Sequence, residues 1–344
     1  LPIQSGLQFA LKRLKQAAFG LLAVAVATGA GVWLDYDATT ADAIQFDEGD
    51  VLLVARGETL SSIVRRFEEE KRIDKSWPYL LYARYHELGN NIQFGEYSLE
   101  ESITIGELIR ILSSGDRKIQ YRVTVLEGWT FRQMRDELAN AEPLRSITSG
   151  WEDRQIMAEI AQPDLHPEGQ FYPDTYFYHK GETDLDIYRI AFQEMQQHLD
   201  RAWANRTDSL QLEDRHELLI MASIIEKESL LKSEEAEISG VFNNRLVKGM
   251  RLQADPTVIY GLGDQFTGNI TRKHLRADNP YNTYTRGGLP PTPISLPGEG
   301  ALMAAARPLQ TKAYYFVAKG DGSHKFSSTL AEHNAAVRKY QLRR

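Results

Sequence analysis

The segment Glu217–Leu231, ELLIMASIIEKESLL, places carboxylates in an otherwise apolar run. Leu218, Leu219, Ile220, Met221, Ala222, Ile224 and Ile225 leave almost no polar face, which predicts a helix buried on all sides. At 100° per residue Glu226 shares a stripe with Leu219, Ala222, Ser223 and Leu230. A carboxyl leaving the helix among such neighbours is poorly solvated and stays protonated at higher pH, the state a general acid needs. Glu228, two residues on, points to roughly the opposite side, so the two should not share one substrate bond. The plainer reading is a helix emerging into solvent, which Lys227, Glu228 and Lys232 also fit.

Other chemistries find less support. His216-Glu217 begins like a zinc-binding H-E-x-x-H, but the fifth residue is Ile220. There is no cysteine, no G-x-S-x-G and no phosphate-cradling glycine loop. His324 and His333 lack a clear third ligand, so neither a metal nor a cofactor is expected. The net charge of −7 argues against nucleic acid held by bulk electrostatics.

Several segments must position the carboxylate. Ala17–Leu34 is an uncharged stretch preceded by Lys12, Arg13 and Lys15 and followed by Asp35, Asp37 and Asp42. It is long enough for a transmembrane anchor, with residues 1–16 on the cytoplasmic side and the remainder outside. Ala25-Val26-Ala27 also resembles a signal-peptidase site, but cleavage there would cut the apolar run in half. Residues 35–50 read as a polar linker. Residues 51–118 follow a β-α-α-β pattern, with Thr59 as a helix cap, and residues 119–161 form a small linking subdomain in which Thr130 caps a helix. Residues 162–344 complete an α+β chain.

Within that last part, HPEGQFYPDTYFY gathers Phe171, Tyr172, Tyr176, Phe177 and Tyr178, which suit either a stacked pyranose or ordinary core packing. Asp255-Pro256-Thr257 starts a helix, which gives Asp255 either a capping role or a place at a reacting sugar. The loop from Asn279 to Gly298 is long and rich in Pro and Gly, as binding loops often are.

Two resemblances emerge. The 51–118 unit resembles LysM, a module that binds N-acetylglucosamine backbones, in its G-x-T-L-S-x-I start and its IQFGEY return. ASIIEKES (222–229), VFNNRL (241–246), MRLQADPTVIYG (250–261), YNTY (281–284), GLPPTPI (288–294), YYFVAKGDGSHKF (314–326) and EGQFYPDTY (168–176) resemble the YceG-like family of endolytic murein transglycosylases. Two positions depart from the family pattern, Leu296 and Gln170.

The resemblance implies a single-pass protein of the bacterial inner membrane with its catalytic domain on the periplasmic face. Its substrate would be peptidoglycan glycan strands, cut at the MurNAc-β-1,4-GlcNAc bond to leave 1,6-anhydro ends, beside membrane-bound peptidoglycan synthases. It further implies Glu226 as the catalytic acid, then base, with Gln253, Asp255, Asn282, Thr283 and Tyr284 binding substrate and Glu228 in a structural role. The rivals are a muramidase-type hydrolase using Asp255 or Glu228 as second carboxylate, and a non-catalytic glycan-binding scaffold.

Overall fold

The computed structural model describes residues 3–89 and 91–342, which form two compact units of mixed helix and strand. One unit takes the chain as far as Gln120, with His179–Gly181; the other takes Tyr121–Tyr178 and the chain from Glu182 onward.

The first unit opens with the helix α1 (Ile3–Ala41), whose Ala18–Ala41 stretch is long and apolar enough to cross a membrane and is not buried in the protein. Residues 1 and 2 of the expected cytoplasmic segment lie outside the described residues. The expected linker is replaced by regular structure: α1 runs past Leu34, and β1 (Ala43–Gln45) pairs with β4 (Ser102–Thr104). Ile44 and Ile103 face each other in that ladder and are both buried, which draws the polar stretch into the core. Between them β2 (Val51–Val54), α2 (Leu60–Glu69), α3 (Trp77–Tyr85) and β3 (Gly95–Ser98) follow in the anticipated order, β2 antiparallel to β3. Thr59 caps α2 as expected, its side chain accepting from Ser62 N–H. α4 (Ile105–Ser114) supplies Leu108, Ile109, Ile111 and Leu112 to the same core.

The second unit contains both the expected linking segment and the remainder of the chain. β5 (Tyr121–Thr124) pairs antiparallel with β6 (Thr175–Tyr178), and α5 (Phe131–Asn140) and α6 (Asp153–Glu159) lie between them in sequence. Thr130 caps α5 in a reciprocal capping box with Gln133. Then come α7 (Asp184–Ala204), α8 (Arg215–Glu228), α9 (Glu235–Val247), α10 (Asp255–Leu262), α11 (Arg272–Arg276) and α12 (Glu299–Ala306). The hairpin β7 (Tyr315–Ala318) and β8 (His324–Ser327) and the helix α13 (Leu330–Tyr340) close the chain.

Residues Leu218 to Ile225 of α8 are all buried, in a core shared with α7, α9 and α12. Burying a helix on every side leaves no face free to slide, so its last turn is held firmly. Gly240 of α9 permits a close backbone approach, because a Cβ there would collide with the Leu309 carbonyl oxygen.

Candidate active site

The end of α8 presents Glu226 and Glu228 to different surroundings. Glu226 is half-buried, and its Oε2 accepts the Gly298 N–H at 3.0 Å, at the cap of α12. Burial pushes its carboxyl up, as its stripe predicts, against that hydrogen bond, and Glu127 pushes in the same direction. Protein atoms crowd this side. Lys232 Nζ donates to Glu127 at 2.6 Å, Lys227 Nζ to the Gly128 carbonyl at 3.0 Å, and Glu235 lies buried against Gly300. Leu230, expected on the same stripe, lies beyond the helix end and is exposed.

Glu228 instead lines a cavity of about 440 Å³ with Arg245, Gln253, Asp255, Tyr284 and Tyr315. Glu226 is not among its lining residues. Glu228 keeps some exposed surface, yet its carboxyl lies deep enough among protein atoms for desolvation to push it up to about 8. Asp255 adds to that rise, whereas the Arg245 charge and the Asp255 backbone N–H oppose it. A carboxyl in this state is protonated at neutral pH and faces open space that a sugar can enter.

Three of the five anticipated substrate residues therefore gather at one carboxyl, but it is Glu228. Asp255 is not the N-cap of α10; Ala254 holds that place, and Asp255 Oδ1 accepts from Tyr284 Oη at 2.6 Å. Gln253 reaches the cavity through a left-handed backbone at φ 51°, uncommon for a residue with a side chain. Such conformations persist where surrounding contacts enforce them, and here Gln253 N–H donates to the Thr283 carbonyl.

Asn282 and Thr283 do other work than expected. Asn282 is buried; its Nδ2 donates to the carbonyls of His274, Leu275 and Ala277, and its Oδ1 accepts from Tyr284 N–H. Thr283 Oγ1 accepts from Ala254 N–H and lies 2.9 Å from Thr257 Oγ1. Their polar atoms are committed to the protein, so they position Tyr284 and Gln253.

The aromatic segment resolves as core packing. Phe171 stacks on Phe131 at 5.0 Å and Tyr176 Oη donates to the Tyr172 carbonyl, while Phe177 is exposed. Glu168, at the start of that motif, is buried and pushed up to about 7 by desolvation, with Phe131 N–H and Tyr260 Oη donating to it. Leu296 fills the core, and its backbone bonds to Gly128 and Trp129.

Arg245, Tyr315 and His324 are cavity residues that residue-level reasoning missed. Arg245 and Tyr315 stand inside motifs already singled out, VFNNRL and YYFVAKGDGSHKF, and that membership was the available signal. His324, weighed only as a metal ligand, bonds Glu234 Oε2 through Nδ1 at 2.7 Å.

Comparison with known proteins gives this geometry a context. The model of the YceG-like family matches residues 52–339. The endolytic murein transglycosylase of Bacillus subtilis (strain 168) is 30% identical over 305 residues, covering 83% of each chain. That of Streptococcus pneumoniae serotype 2 (strain D39 / NCTC 7466) is 22% identical over 320 residues, and the alignment takes in 83% of this chain but 57% of the pneumococcal one. The crystal structure of a yceG-like protein from Listeria monocytogenes is similar at a TM-score of 0.53 and 29% identity, covering 84% of this chain and 99% of that one. By the extent of the family match and the likeness to the Bacillus protein, this chain belongs to the YceG-like family.

Proposed function

We propose that this protein is an endolytic lytic transglycosylase of peptidoglycan, cleaving the β-1,4 bond between N-acetylmuramic acid and N-acetylglucosamine within glycan strands. The names of its relatives support the substrate and the reaction class. The observation that carries the assignment of chemistry to residues is the half-buried Glu226 carboxyl, which desolvation pushes up and of which only Oε2 takes a hydrogen bond, from Gly298 N–H. Glu226 is in this reading the acid, its Oε1 accepting from no described residue, and Glu228 is a wall of the neighbouring cavity that takes the glycan.

In this reading Glu226 gives its proton to the glycosidic oxygen as the C1–O bond breaks. The C6 hydroxyl of the same muramic acid then attacks C1, and its proton passes to the Glu226 carboxylate. No water is consumed, the acid is regenerated, and a 1,6-anhydro end is formed. One carboxyl suffices because nucleophile and electrophile belong to one sugar, provided the site holds that ring and keeps water out. Gln253 offers an amide to an acetamido group or hydroxyl, and Tyr284 and Tyr315 offer flat faces to the ring.

Asp255 in the same cavity favours one rival, hydrolysis with water activated by a second carboxylate. Mass analysis of fragments released from uncrosslinked glycan strands separates the two. Anhydro ends, lighter than reducing ends by one water, are expected. They should vanish with Glu226→Gln and survive Glu228→Gln; reducing ends would give the reaction to a hydrolase.

The remaining assignments follow the same reading. α1 is a retained single-pass anchor that places both units on the outer face of the bacterial inner membrane, beside peptidoglycan synthases. The β2–α2–α3–β3 unit is LysM-like and approaches the glycan.

A further inference from the structure

Arg245 is an unusual occupant of the cavity. The residue is 6% exposed, a depth at which a guanidinium normally requires a carboxylate partner, yet it makes no ion pair with any described residue. Its hydrogen bonds go to backbone carbonyls: Nε to Tyr314 at 2.7 Å, Nη1 to Leu252 at 2.5 Å and to Arg251 at 3.5 Å. The side chain also lies 5.5 Å from the centroid of the Tyr315 ring. These contacts fix the plane of the guanidinium. They leave Nη2 without an acceptor among the described residues, although it is not sealed from solvent, and the cavity is the space onto which Arg245 opens. A fixed, charged donor with a free N–H, in the cavity lined by Glu228, two residues from the acid along α8, marks a place for an oxygen of the substrate.

The chemistry of the glycan narrows which oxygen. Both sugars of murein carry hydroxyls and an acetamido group, as chitin does. Only muramic acid adds a lactyl ether at O3, ending in a carboxylate when free and in an amide carbonyl when a peptide is attached. When free, that carboxylate is the strongest acceptor a guanidinium meets on the strand; when amidated, its carbonyl equals an acetamido oxygen in strength but extends from O3, where chitin has only a hydroxyl.

We propose that Arg245 selects muramyl units, donating from Nη2 to the carbonyl or carboxylate oxygen of the lactyl arm. This rests on the glycan-cleaving function proposed above and assigns its sugar specificity. Asp255, in the same cavity, disfavours a second anion nearby, so the lactyl oxygen must dock on the Arg245 side.

The test is equilibrium binding with the full-length chain carrying Glu226→Gln, which holds strands without cutting them. The probes are peptide-bearing murein strands, strands stripped of peptide, and chito-oligosaccharides of equal length. Murein should bind at least tenfold more tightly than the chito-oligosaccharide. Adding Arg245→Met should weaken murein binding on the order of 10- to 100-fold while chito-oligosaccharide binding moves less than twofold. A larger loss on stripped strands identifies the carboxylate as the acceptor; an equal loss identifies the carbonyl common to both. Equal weakening of murein and chito-oligosaccharide overturns the proposal. So does an absence of murein preference before Arg245 is touched, a result that stands even if Arg245→Met does not fold. Loss of the cleavage reading is separately visible: the unsubstituted chain would release no new ends while the binding preference persisted.

Discussion

Two carboxyls leave the last turn of α8 two residues apart, and their fates diverge. Glu226 meets the cap of α12 and a cluster of charged side chains, where Oε2 accepts the Gly298 N–H and Oε1 accepts from no described residue. Glu228 meets the cavity with Asp255 and Arg245 beside it. Both are pushed up chiefly by desolvation, so burial alone does not separate them. What separates them is their company: a single backbone N–H and partly exposed charged side chains at Glu226, a second carboxylate and a guanidinium at Glu228. A raised carboxyl is a catalytic candidate only when something can reach it.

The largest expected effect is the loss of a proton donor. Glu226→Gln should lower the rate of strand cleavage on the order of 10³-fold with little change in thermal unfolding, read from fragment release and melting side by side. If Glu228→Gln instead abolishes cleavage and Glu226→Gln leaves it intact, the comparison is reversed.

The pH profile probes the same carboxyl without a substitution. Glu226 is pushed up by desolvation and must start protonated, so cleavage should fall about tenfold per pH unit along an alkaline limb that lies above the ordinary carboxyl range. A rate that does not fall between pH 4.5 and pH 10 would count against Glu226 as the acid. Stability follows the same sign at Glu228. The folded state holds the Glu228 proton more tightly than the unfolded chain does, so this contribution is complete below pH about 4.5 and is lost as pH rises towards 8.

Asp255→Asn should have a smaller effect, about tenfold in rate, since Tyr284 keeps an acceptor but the cavity loses a negative charge. Because Asp255 helps to hold the Glu228 proton, the alkaline loss of stability should move to lower pH. An unmoved loss would mean that the two carboxyls do not sense each other.

The smallest effect belongs to Glu228→Gln. The amide keeps the shape of a protonated carboxyl and its oxygen can still accept from the Asp255 N–H, so the expected cost is about 1 kcal/mol of stability with the rate within threefold of the parent, measured by melting and fragment release.

Much of this architecture was legible from local rules. α7 runs from Asp184 to Ala204 as its pattern predicts, because Thr183 caps its start and its apolar residues keep helical spacing. α8 is apolar all round and is buried all round. Helix phase also predicted that Glu226 and Glu228 face different ways. It could not say which way the cavity lies, because β7, β8 and α13, at least 87 residues beyond Glu228, line it with α9. For the same reason residues 43–45 read as a linker, since their partner strand starts at Ser102. The tyrosines of EGQFYPDTY suited a sugar or a core equally, and only the neighbouring rings decide. Asn282 and Thr283 show the limit of motif reading: a recurring polar residue can serve the backbone as readily as a ligand.

The close approach at Gly240 reaches further than its own position. One helical turn later Asn244 Nδ2 grips the carbonyls of Thr311 and Ala313. The two residues act as a seat and a clamp that set how deep α9 beds against the segment running into β7. A methyl group at 240 would lift the shaft, and a displacement of about 1 Å is enough to carry a donor out of hydrogen-bond range. The tolerance of the sugar site is therefore machined in part at a glycine that no sugar touches.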